Sequence, residues 1–371
     1  MSLMGTTSRS AKEQRRLPAE WEPQAAILLT WPHSGTDWKL IIEEVENTYF
    51  EMAKAILKTQ NLVISCEDAT RLEAVSLYLA PYAQHHQTTL QTFVIPADDT
   101  WTRDHGPIGI QENNDTILLD FGFNAWGDKF ASDKDDKINS TLFQHNAFPK
   151  YEYRKVDMIL EGGSIESDGL GSLLTTEKCL LATTRRTQTN HSQTNHTKIS
   201  QAKTSKIDIE ASLAQHLGIK RVMWLAHGHL SGDDTDAHID TLARFVDAET
   251  ICYLACNDPD DEHFEPLKQM AEELQAFRTL DDKLYRLIAL PMPNAIYDQE
   301  RRLPATYANF LITNKSVLLP IYGVEQDSKA IAILQECFPN REVIPIDCNA
   351  LIKQNGSLHC VTMQISQHAN Q

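Results

Sequence analysis

The feature that most restricts the fold of this chain is one order of elements, met again and again. Apolar strands at 92–96, 156–160, 222–226, 285–290 and 342–346 each end in a polar loop. Four of those loops lead into a hairpin: 108–111 with 117–121, 164–166 with 172–175, 242–246 with 250–255, and 309–312 with 316–320. Turn residues such as Asn113-Asn114 and Asp168-Gly169, set between apolar flanks, are the hairpin signal. A fifth hairpin is split across the chain, with 360–365 predicted to pair with 25–30. Helices follow the hairpins. Ile41, Ile42, Val45, Tyr49, Met52, Ala53 and Ile56 recur with helical period over 38–58. Segments 207–217, 265–277 and 327–337 do the same, 137–146 more weakly, and an extra strand (62–65) and helix (69–79) enlarge the first unit.

Repeated alternation with meeting ends predicts a closed ring of about five ββαβ units. A doubly wound sheet also alternates helix and strand, but a purely parallel sheet would not need a hairpin in every unit. In a ring, the loops that follow the strands open at one end of the axis and share a pocket.

Composition narrows the function. A formal charge of -17 argues against a nucleic-acid binder tracking phosphates and suits a cationic ligand. No apolar run reaches the ~20 residues that span a bilayer, so neither nucleic acid nor membrane is expected as a partner, and the protein is read as cytoplasmic. Residues 1–16 are read as a frayed terminus and 17–371 as a single catalytic domain. The Thr/Asn/Gln-rich stretch 187–206, in which Gln-Thr-Asn-His occurs twice, is read as an exposed insertion. Seven cysteines include no CxxC pair.

The convergent loops hold the chemistry. They contain Trp101-Thr102-Arg103-Asp104, Glu161-Gly162-Gly163, His238-Ile239-Asp240, and Gly356-Ser357-Leu358-His359-Cys360. If 238–240 is extended, His238 and Asp240 face the pocket and Ile239 packs away. Cys360 follows a Gly-Ser turn, where a neighbouring imidazole would activate its thiol. It is therefore expected to be the most readily alkylated thiol, with the other six structural. Asp104 reads as a carboxylate for a planar cation, beside a Trp101 wall, with Arg103 expected either to bind substrate too or to serve only as Asp104's structural partner. His227-Gly228-His229 is the rival signal, for a metal hydrolase.

These residues lie in stretches that resemble the agmatine deiminases (agmatine iminohydrolases). That family is related to bacterial-type peptidylarginine deiminases within the guanidine-modifying, or pentein, superfamily. The similar motifs are Leu17-Pro-Ala-Glu-Trp-Glu-Pro23, Trp31-Pro-His33, Asp99-Thr-Trp-Thr-Arg-Asp-His-Gly-Pro107 and Leu160-Glu-Gly-Gly-Ser-Ile-Glu166. Gly232-Asp-Asp-Thr-Asp-Ala-His-Ile-Asp240, Tyr307-Ala-Asn-Phe310 and Gly356-Ser-Leu-His-Cys360 complete the series.

The resemblance implies a five-bladed α/β propeller and no metal or organic cofactor. It implies Cys360 as nucleophile, His238 as general acid/base, Glu161 as its partner, and Asp104 and Asp240 as guanidinium clamps. Agmatine would become N-carbamoylputrescine and ammonia, on a route towards putrescine and other polyamines. Free or peptidyl arginine is the alternative substrate. A non-catalytic guanidine or polyamine binder is a further reading, and a homo-oligomer is left open. Ala237, Ser357, His105 and Gln354-Asn355 depart from the family pattern and are expected to line or abut the pocket.

Overall fold

The computed structural model describes residues 15–185 and 205–368. Five sheets repeat one connection: two antiparallel strands, a helix, and a third strand parallel to the second. Ile108–Glu112 pairs with Asp115–Gly122, which runs through helix Ile138–Gln144 to the parallel strand Glu152–Ile159. Glu166–Ser167, Ser172–Thr176 and Arg221–Leu225 repeat this around helix Lys206–Leu217. Ala243–Asp247, Thr250–Ala255 and Arg286–Pro291 do so around helix Phe264–Ala276. Leu311–Ile312, Ser316–Ile321 and Glu342–Asp347 enclose helix Gln326–Cys337.

The fifth unit joins the two ends of the chain as expected. Thr362–Ser366 pairs antiparallel with Gln24–Thr30, and helix Ile42–Leu57 carries Gln24–Thr30 on to the parallel strand Asn61–Cys66. The extra helix, Ala69–His86, and strand Leu90–Val94 extend that sheet. The architecture is therefore mixed α/β, with parallel and antiparallel pairing in each of these five sheets.

Local chemistry sets the boundaries. Helix Ile42–Leu57 buries Val45, Tyr49, Met52, Ala53 and Ile56 on one face, and each large side chain so buried contributes roughly 1.5–3 kcal/mol. Helix Lys206–Leu217 starts at a reciprocal Ser205–Asp208 cap and stops at Gly218, whose φ of 72° suits a left-handed cap. Pro81 sits inside helix Ala69–His86 without ending it, so the helix outruns the expected 69–79.

Of the frayed terminus expected at 1–16, residues 1–14 lie outside the described residues. Arg15 and Arg16 pair with Glu112 and Gln111. The insertion expected at 187–206 also lies outside them, apart from Ser205 and Lys206 at the helix start. Among the described residues no helix is long and apolar enough to cross a membrane.

Candidate active site

One pocket, with a void of about 490 Å³, is lined by Trp101, Asp104, His238 and Cys360. Thr102–His105 forms a single helical turn, and Asp104 N–H bonds Trp101 C=O at 2.9 Å. Trp101 and Asp104 therefore share a side, while Arg103, about 100° further round, points the other way. Its guanidinium donates to Gln364 Oε1 at 2.6 Å and to His359 C=O at 3.4 Å, behind the pocket. The expectation that Arg103 binds substrate is thus not met by its placement.

Asp104 is held on both oxygens. Oδ1 accepts Gly163 N–H at 3.0 Å, and Oδ2 accepts the Trp126 indole N–H at 2.9 Å. Burial, then the nearby Asp240 and Glu161, push its carboxyl up to about 6, against His238 and Trp126, which favour the charged form.

Glu161 precedes the 3-10 turn Gly162–Ser164. A Cβ on Gly163 would lie 2.6 Å from His238 Nδ1, 2.8 Å from Asp104 Oδ1 and 3.3 Å from Asp240 Oδ2. Absence of a side chain at 163 is what lets these three groups converge. His238 Nδ1 lies 3.6 Å from Asp104 Oδ1, and Nε2 lies 3.9 Å from Glu161 Oε2. Glu161 is anchored from behind by Arg185 Nε at 2.9 Å. Burial disfavours a charged imidazole, but Asp104, Cys179 and Glu161 outweigh it and raise His238 well above its ordinary value. Burial likewise opposes the Glu161 carboxylate, and His238 with Arg185 hold it below the usual range.

Residues 239–241 form a 3-10 turn, not the start of the strand, which begins at Ala243. Asp240 still meets the site. Its Oδ2 bonds His359 Nδ1 at 2.7 Å, whereas Oδ1 is buried with no hydrogen-bond partner. His359 Nε2 in turn meets Glu20 Oε2 at 2.7 Å, and Arg244 donates to the same oxygen at 2.7 Å.

Cys360 is 6% exposed and borders the pocket, so its sulfur is not sealed in a dry interior. Asn309 Oδ1 accepts its backbone N–H at 3.3 Å and lies 3.4 Å from Sγ. Burial, Asp240 and Asp104 all push the thiol well up. In the unliganded protein this shift works against ready alkylation of Cys360. Cys179, read as merely structural, instead stands beside the base.

Glu161, Cys179 and His238 offer donor atoms within 4.8 Å of one another and are the described group able to hold a metal ion. The predicted His227-His229 pair does not join them: His227 meets Glu273 at 2.7 Å, and His229 lies against His263. His105 also turns away, its ring 3.3 Å from Thr30 Oγ1. Gln354 and Asn355 line the pocket. Ser357 contacts Tyr322 at 3.0 Å, and Ala237 adopts a φ of 64°, in the region that favours glycine.

Sequence reasoning missed Trp126, Phe130 and Asp37. Trp126, with a left-handed φ of 58°, and Phe130 add aromatic surface beside Trp101, while Asp37 joins Asp99, Asp233 and Asp234, from the loops expected to converge, as acid at the pocket. Trp101 and Trp38 both donate to Asp99, at 2.9 and 3.1 Å.

The family model described as Porphyromonas-type peptidyl-arginine deiminase matches residues 16–366. The chain belongs to this family. It is 29% identical over 386 residues to an agmatine deiminase of Pseudomonas aeruginosa, covering 98% of each. The solved agmatine deiminase of C. jejuni with substrate bound is 35% identical, covers 99% of each chain and superposes with a TM-score of 0.83. That of Enterococcus faecalis is 25% identical, with a TM-score of 0.80 over 95% of this chain and 96% of that one.

Proposed function

We propose that this protein hydrolytically deiminates a small guanidine, agmatine being the substrate that fits best. The observation that carries the reading is the convergence of Asp104, His238 and Asp240 around Gly163, with Cys360 on the same pocket. Two carboxylates grip a planar cation by paired, charge-assisted hydrogen bonds, and Asp240 Oδ1 is left free to do so.

The choice of agmatine rests on the rest of the lining. Asp37, Asp99, Asp233 and Asp234 border the pocket and, among the described residues, no Lys or Arg does. Such a wall favours the terminal ammonium of agmatine and repels the carboxylate of free arginine. Trp101, Trp126 and Phe130 suit the methylene chain between the two cations.

Chemistry follows from the electrostatics. In the free enzyme Cys360 is a thiol and His238 an imidazolium. A bound guanidinium neutralises the field of Asp104 and Asp240 and so favours the thiolate, the thiol proton leaving to solvent. Cys360 Sγ bonds to the guanidinium carbon; the bond to one terminal nitrogen breaks, and ammonia departs with a proton from His238. Neutral His238, oriented by Glu161, then takes a proton from water, which attacks the same carbon. The C–S bond breaks, leaving N-carbamoylputrescine and a regenerated thiol. Covalent catalysis divides one difficult displacement into two steps.

The five repeated units fit a five-bladed ring whose blades are the ββαβ units. Pairing of Thr362–Ser366 with Gln24–Thr30 supports that closure.

Ammonia release from agmatine, free arginine and a peptidyl arginine tests the reading. Agmatine is expected to give the highest kcat/KM, and a higher value for either arginine would overturn the assignment. Turnover abolished by EDTA and restored by zinc would instead make Glu161, Cys179 and His238 metal ligands. Calorimetric binding of agmatine with no ammonia released would make the protein a binder.

A further inference from the structure

Two cysteines outside the pocket lie together. Cys252, in strand Thr250–Ala255, is fully buried; Cys337, the last residue of helix Gln326–Cys337, is half-buried. Their sulfurs are 3.7 Å apart across 85 positions of sequence. Among the described residues no other two sulfurs hydrogen-bond each other. The hydrogen bond from Cys252 pulls the Cys337 thiol down against burial, with help from Arg286. The same contact, with burial, pushes Cys252 up. The other five thiols are all pushed up by burial. The pair thus combines a more acidic, partly accessible sulfur with a buried one in contact, the arrangement of an attacking and a resolving thiol.

We propose that Cys252 and Cys337 form a peroxide-oxidised dithiol that closes to a disulfide between a strand of one sheet and the helix of the next unit. Cys337 Sγ attacks one oxygen of hydrogen peroxide; the O–O bond breaks, water leaves, and Cys337 becomes a sulfenic acid. Cys252 Sγ then attacks Cys337 Sγ, the S–O bond breaks, a second water leaves, and the S–S bond forms. The two thiols lose two electrons and two protons while the peroxide is reduced to two waters. The assignment does not depend on the proposed deiminase chemistry, because neither sulfur borders the pocket.

The test is peptide mapping of the full chain after hydrogen peroxide, digested without reductant. The expected result is an intramolecular peptide joining Cys252 to Cys337, lost on adding dithiothreitol, together with a dithiothreitol-sensitive rise in Tm. In Cys252→Ser, dimedone should label Cys337 as its trapped sulfenic acid. Oxidised Cys337 with no joined peptide in the unsubstituted protein would overturn the proposal. So would both sulfurs remaining reduced while Cys256 or Cys360 oxidises.

Discussion

The indole N–H of Trp126 meets Asp104 Oδ2 at 2.9 Å, so an aromatic wall residue also orients a clamp carboxylate. The hydrogen bond stabilises the ionised form of an acid that burial pushes up to about 6. Asp104 must be charged to hold a guanidinium, so kcat/KM for agmatine should fall as pH drops below about 6. Trp126→Phe keeps an aromatic wall and removes the donor. It should move that acidic limb up by roughly one to two pH units, since a hydrogen bond to a charge is worth about 1.5–3 kcal/mol. A pH–rate profile with an unmoved limb would count against the role given to Trp126.

Gly163→Ala is expected to lower kcat/KM at least about 100-fold, because small misplacements of reacting groups have effects of that size. Its added Cβ would press on His238 Nδ1 and Asp104 Oδ1. Steady-state rates alongside urea unfolding separate this from a loss of fold, and near-normal activity would contradict the crowding argument.

His359 bridges the carboxylates of Asp240 and Glu20 at 2.7 Å each. Replacing it by Leu leaves Asp240 Oδ2 buried without that partner, next to a Glu20 still held by Arg244, and should cost about 3 kcal/mol of stability. Urea unfolding measures that directly. The same variant should raise KM for agmatine, because Asp240 loses the partner that sets its orientation.

Much of the fold was legible because turn residues and apolar periodicity are local signals. Asn113-Asn114 marked a hairpin, and Val45, Tyr49 and Met52 marked a helix face. The site was only partly legible, since sequence spacing does not say which way a short turn faces. Residues 238–240 look the same as a strand or as a 3-10 turn, and a helical turn at 102–105 sends Arg103 away from Asp104. Trp126 could not be found by period at all, because Ala125 and Trp126 take left-handed conformations in an irregular bend. Cys179 meets His238 through tertiary packing between segments about sixty positions apart, which no local pattern encodes.

The acidic wall has its own test. Asp234→Asn should raise KM for agmatine about tenfold, as expected for about 1.4 kcal/mol of lost charge pairing. It should leave butylguanidine, which lacks the amine, nearly unchanged. Equal effects on both substrates would mean that Asp234 does not recognise the distal ammonium.

The most direct measurement is the intact mass of the enzyme quenched during agmatine turnover, followed by peptide localisation. The account predicts an adduct of agmatine less ammonia on Cys360, absent from a folded Cys360→Ala that releases no ammonia. Ammonia release by Cys360→Ala at the parent rate, with no adduct on the parent, would contradict it.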